Sequence, residues 1–148
     1  MPRFPLSSAS DTADINDDVR RLFDELALEL PPDQRAPSGE CRPGVDVLET
    51  ERHIEVTVDV PGIPPAALKI AFRGDILMIV GEKAPQPAAA AQAYHLVERE
   101  FGRFVRAVHL SGAFDLGAAR AHIDSGALSI VLPKISDRRG RVHTIRIS

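Results

Sequence analysis

The stretch HIEVTVDVPG, residues 53–62, decides the fold. Ile54, Val56, Val58 and Val60 alternate with His53, Glu55, Thr57 and Asp59, and Pro61-Gly62 stops the run. Side chains along a strand point alternately to its two faces, so this pattern predicts a strand with one apolar and one polar face. The same period recurs on both sides. Val45 and Val47 precede it; Leu68, Ile70 and Phe72 follow, alternating with Lys69, Ala71 and Arg73 up to a Gly74-Asp75 turn. Ile76 to Val80 is apolar throughout, which predicts a central strand buried on both faces and closed by Gly81. Phe104, Val108 and Leu110 share a face of the next strand. Ala119, Ala121 and Ile123 form another, and Leu128, Ile130 and Leu132 a further one that Pro133 stops. Strand after strand with no helix between them indicates an all-β chain folded as an antiparallel β-sandwich.

One connection is out of proportion. APQPAAAAQA, residues 84–93, is a low-complexity lead-in to Tyr94, His95, Leu96, Val97 and Glu98, which have strand character of their own. A long excursion that carries a strand is unusual inside a compact sandwich and points to a function, such as reaching another subunit.

Composition divides the chain into an arm (1–42), the strand-rich region (43–134) and a tail (135–148). In the arm, Ile15, Val19, Leu22, Phe23, Leu26 and Leu30 recur at helical spacing. Asp14 is the expected N-cap, Asp17 and Asp18 complement the helix dipole, and Pro31-Pro32 ends the helix. A lone helix cannot bury its own apolar face and must dock on something. The tail finishes as a polar run followed by Ile145-Arg146-Ile147, two isoleucines spaced like a strand.

Much chemistry is absent from the sequence. Net charge is −3, against a nucleic-acid binder working by bulk charge. One cysteine, Cys41, allows neither an internal disulfide nor a cysteine-based zinc cluster, and its Gly/Arg/Pro neighbours predict an exposed or half-exposed thiol with no catalytic motif around it. The 5 histidines are scattered, with no pair at i, i+4 on a helix. The chain contains no phosphate-binding glycine motif and no serine nucleophile elbow. No cofactor, metal, small-molecule substrate or catalytic residue is therefore expected, and the chain does not read as an enzyme. MPRFPLSSAS at the start lacks a signal-peptide core, and no stretch approaches the ~20 apolar residues of a membrane span. The expectation is a cytoplasmic, reduced, soluble protein.

Glu98, Arg99, Glu100, Arg103 and Arg106 make a dense charge cluster that reads as an ion-pair network. Strand alternation points Arg106 the same way as Phe104 and Val108. A guanidinium there needs a carboxylate across a subunit interface, a shifted register, or a stem laid along the apolar surface with its head in water. The sequence leaves these open.

The ordered motifs PGVDVLET (43–50), VDVPG (58–62), GDIL (74–77) leading to GEK (81–83), and EREFGRFVR (98–106) resemble the small heat-shock proteins, in their bacterial branch. So do Ala121 through Gly126-Ala127-Leu128 to Leu132-Pro133-Lys134, and the Ile-x-Ile tail. Each piece alone is weak; the ordered set, over about residues 43–147, is specific. Ser111 stands where the family usually has proline, and Ala127 where valine is common. The arm does not match closely.

The resemblance implies an immunoglobulin-like β-sandwich, the alpha-crystallin domain, with a partly helical arm and an extended tail. It implies ATP-independent holding of unfolding client proteins, and homodimers that build larger homo-oligomers. Tyr94–Glu98 would pair with the partner's sheet, a case of strand addition between subunits, and Arg99, Arg103 and Arg106 would make dimer ion pairs. Ile145 and Ile147 would dock in a groove of a neighbouring dimer lined by Ile70, Phe72, Ala119 and Ala121, although an edge strand within the same chain is the simpler alternative. Phe4, Leu6, Ile15, Val19, Leu22, Phe23 and Leu26 of the arm are the expected client-binding residues, with the groove second; packing inside the oligomer is the competing role. A β-sandwich co-chaperone with a fixed partner is the alternative function, and it would need neither the loop strand nor the tail motif.

Overall fold

The computed structural model of the chain describes residues 9–36, 39–135 and 143–148. Helix α1 (Ala9–Glu29) comes first, then β1 (Val45–Glu49), β2 (His53–Asp59), β3 (Leu68–Arg73), β4 (Ile76–Lys83), β5 (Gly102–His109), β6 (Arg120–Asp124), β7 (Ala127–Pro133) and β8 (His143–Ile145). The strands form two 4-stranded antiparallel sheets, ordered β1-β2-β7-β6 and β5-β4-β3-β8.

The alternation in residues 53–60 works as expected. Ile54, Val56 and Val58 of β2 lie beside Leu132, Ile130 and Leu128 of β7, and all six are buried. They face Leu68, Ile70 and Phe72 of β3 and Leu77 and Ile79 of β4 across the sandwich. Phe72 meets Phe114 edge to face, with ring centroids 5.7 Å apart.

β4 is buried on both faces, but Gly81 does not close it; the strand continues to Lys83. Glycine is easily read as punctuation, yet here it makes room. A Cβ on Gly81 would lie 2.5 Å from the Phe104 ring and 2.8 Å from Leu68 Cδ2. The pairing of β4 with β5 runs unbroken from Ile76 opposite His109 to Lys83 opposite Gly102, so no register shift occurs at Arg106.

The second face of β4 is covered by α1. Lys69, Ala71 and Arg73 share this outer face with Met78, Val80 and Glu82. Leu22 and Leu26 of the helix, and Leu30 just after it, are buried within the core cluster. The helix begins earlier than its apolar stripe suggests. Asp14 lies inside α1 rather than at its cap, because the polar turn before Ile15 carries no periodic signal. Asp14 instead approaches Arg73, with Nη1 and Oδ2 3.8 Å apart. Phe4 and Leu6 lie outside the described residues.

Between arm and sandwich, the chain at Gly39–Cys41 lies along β5. Arg103 N–H donates to Gly39 O at 3.2 Å, and Cys41 N–H donates to Arg103 O at 3.2 Å. Gly102, at φ +125°, permits the contact: a Cβ there would lie 2.2 Å from the Gly39 backbone.

Gly81→Ala forces its methyl into Phe104 and should destabilise the fold by about 1–3 kcal/mol in urea denaturation. An unchanged midpoint would show that the β4–β5 packing has slack.

Candidate functional site

The tail docks on the edge of the sandwich. Ile145 lies opposite Ile70, Thr144 opposite Ala71 and His143 opposite Phe72, so β8 extends β3. Ile147 then bridges to Ala121 of β6, in the other sheet. Ser148 fixes the end: its N–H and hydroxyl both donate to Ala121 O, at 2.9 and 3.0 Å. Ile145 is buried, Ile147 packs against the core, and Arg146 between them is exposed. The tail therefore joins one sheet by its ladder and touches the other by its last isoleucine. Of the expected groove residues, Ile70 and Phe72 pair with the tail, Ala121 carries the bridge, and half-buried Ala119 precedes β6. The small side chain of Ala121 leaves space for Ile147. In this single chain the occupant of the groove is the chain's own tail.

The opposite edge is different. β1 pairs with β2 on one side, and among the described residues no strand pairs with its other side. Asp59 N–H donates to Gly44 O and Thr50 N–H donates to His53 O. By antiparallel alternation, the backbone groups of Val45, Val47 and Glu49 then point to the open edge. Tyr94, His95, Leu96, Val97 and Glu98 form no strand in the single chain and lie in an exposed loop. Tyr94, Leu96 and Val97 are 57 %, 72 % and 63 % exposed, well beyond what a chain segment packed on its own domain would show. A strand needs a partner for its backbone, and the described residues supply none here.

The charge cluster does not form an internal network. Arg103 instead reaches β4: its Nε lies 3.0 Å from Glu82 Oε1, and its guanidinium sits 5.0 Å from the Phe23 ring of α1. Glu82 is buried and also accepts from the Ala36 N–H at 3.2 Å. Arg106 donates to Pro43 O at 2.9 Å, which satisfies its head at the edge of the sandwich. Arg99 is exposed, its guanidinium 5.3 Å from the Phe101 ring.

A model of the Hsp20/alpha crystallin family matches residues 46–148. The chain belongs to that family. Among its relatives are a 17.4 kDa class I heat shock protein of Arabidopsis thaliana and small heat shock protein C2 of Rickettsia felis. Each is 30% identical over 105 residues; the first match covers 70% of this chain and 67% of the relative, the second 71% and 67%. A small heat-shock protein from Xylella fastidiosa superposes with a TM-score of 0.58 at 30% identity, over 68% of this chain and 93% of that one. Heat shock protein 16.0 from Schizosaccharomyces pombe gives 0.63 at 25% identity, over 69% and 94%.

Members of the small heat-shock protein family are chaperones, and the described residues include the open β1 edge and the groove that holds the tail. They contain no grouping of three His, Cys, Asp or Glu able to hold a metal ion, and no helix long and apolar enough to cross a membrane. Sequence reasoning missed the contacts that seat the arm of this family member. Asp18, buried on α1, pairs with Arg73 of β3, and Glu29 lies 2.9 Å from Lys69. The signal was present: Lys69 and Arg73 flank Ala71 on the face opposite Ile70 and Phe72, where a covering acidic helix would meet them.

Cys41 is half-buried, its Sγ 3.6 Å from Gly102 O. Burial pushes its thiol pKa up; Lys83 draws it partly back, and Glu100 adds to the rise. A raised pKa means less thiolate at neutral pH, with reactivity recovering as pH rises through the shifted value. Iodoacetamide should therefore alkylate Cys41 more slowly than free cysteine at about pH 7.5. An equal or faster rate would contradict this burial.

Proposed function

We propose that the protein is an ATP-independent holdase of the cytoplasm: it binds unfolding proteins through apolar surface and keeps them from aggregating. The observation that carries this reading is the pairing of two incomplete surfaces in one chain. Among the described residues, β1 has an open edge, and Tyr94–Glu98 is an exposed segment, carrying Tyr94, Leu96 and Val97, with no strand partner. Both span five residues, so the segment of one subunit suits the β1 edge of another. Such an exchange is reciprocal and gives a two-fold dimer. Arg99, exposed beside the segment, is the arginine best placed to pair across it, since Arg103 and Arg106 already have partners within the chain.

The tail supplies the second level of assembly. Ile145 and Ile147 project on one side of the chain, and each buried isoleucine contributes ~1.5–3 kcal/mol before the cost of ordering. That is weak enough for a tail to leave its own groove and enter the matching groove of a neighbouring dimer. Repeated over many subunits, such contacts add by avidity and yield an oligomer that exchanges parts. No step requires a nucleotide.

The test is light scattering from a heat-labile client without nucleotide. The protein should suppress aggregation near one chain per client. Ile145→Ala with Ile147→Ala should reduce the oligomer's mass in sedimentation towards that of dimers. No suppression at several-fold excess across several clients would favour a co-chaperone with one dedicated partner.

A further inference from the structure

α1 covers a surface that a two-layer sandwich would leave exposed. Ala71, Met78 and Val80 lie on the outer face of the β5-β4-β3-β8 sheet and are fully buried. The rim of this strip is basic: Lys69 and Arg73 stand on the β3 side. The helix and the residue that follows it answer with Leu22, Leu26 and Leu30 at four-residue spacing, with Asp14 and Asp18 near one end of the helix and Glu29 at the other. The pairs Arg73–Asp18, Arg73–Asp14 and Lys69–Glu29 join rim to helix.

We propose that this sheet face is a second binding site of the chaperone, for acidic amphipathic segments of unfolding proteins, with α1 as the resident occupant that a client displaces. The proposal rests on the holdase reading and adds a site distinct from the tail groove. Three features carry it. Among the described residues between α1 and β1, the backbone pairs with the sandwich only at the short Gly39–Cys41 bridge to Arg103, so α1 can leave with the ladders of both sheets intact. The Asp14 and Glu29 carboxylates are 57% and 56% exposed, so water can replace their pairing with the rim. Once the helix leaves, Lys69 and Arg73 lose acidic partners and the apolar strip between them is uncovered. An incoming segment with leucine-like residues every fourth position and flanking carboxylates meets the same apolar and charged groups as α1.

The experiment is fluorescence anisotropy on the full-length protein, with a designed helical peptide carrying leucines at the spacing of Leu22, Leu26 and Leu30 and glutamates at the relative positions of Asp18 and Glu29. A lysine-for-glutamate counterpart and a peptide of residues 9–30 are the comparisons. Asp14→Ala with Glu29→Ala removes only exposed groups and loosens the cover. It should tighten binding of the acidic peptide about three- to tenfold, by raising the fraction of uncovered face. Lys69→Glu should reverse the preference between acidic and basic peptides. Equal binding of both peptides by the native protein, or no gain on loosening the helix, would overturn the proposal. Binding of the 9–30 peptide alone would also overturn it, by making the face a socket for a second copy's arm. Client light scattering on the same samples separates the two readings: suppression without peptide binding removes this site and keeps the holdase, whereas peptide binding without suppression keeps the site and removes the holdase.

Discussion

The structure depends on burying β4 twice. Ile76 to Val80 has no polar face to give to water, so the second sheet alone cannot satisfy it. One face packs on β2 and β7; the other requires a third layer, and α1 provides it. Helix α1 and strand β8 thereby both pack on one sheet. The arm lies across its outer face and the tail adds a strand to its edge. The central sheet is held by its own ladder, while α1 covers its face from outside that ladder and β8 adds to its edge. A chaperone has use for that arrangement, since apolar surface can stay hidden at rest and be offered without unfolding the sandwich.

Charge fixes how the covers sit more than how tightly. Asp18 is buried while Arg73 stays 37% exposed, and the cost of taking the carboxylate out of water offsets much of their attraction. Such a pair is near neutral in stability but penalises a helix rotated or shifted by one turn, because a misplaced helix would leave a buried charge unpaired. Glu82 acts similarly at the other end of the arm. It joins Arg103 of β5 to the Ala36 N–H and brings the guanidinium over Phe23. The leucines of α1 supply attraction, and the ions supply register.

Much of the fold was legible in the sequence because period 2 is a strong signal when one face is buried. Ile54 to Val60 and Leu128 to Leu132 show it clearly, and their strands pair in the register that alternation demands. What was not legible had non-local causes. The first turns of α1 are polar and carry no stripe, so Asp14 was read as a cap. Gly81 was read as a stop because its reason, the Phe104 ring, lies in another strand. Tyr94–Glu98 has strand composition but no partner among the described residues, and a strand is defined by its partner. Arg103 belongs with Glu82 rather than with its neighbours in sequence, since strand pairing places the two opposite each other. For the tail, Ile70, Phe72 and Ala121 meet the chain's own β8 and Ile147, a placement within one chain that the sequence leaves open.

Hydrogen exchange followed by mass spectrometry, as temperature is raised below the global melting point, tests most directly whether the two covers move independently of the sandwich. Amides of α1 and β8 should lose protection at lower temperature than those of β2, β4 and β7. Loss of protection in all these elements together, in one transition, would contradict a sandwich with detachable covers.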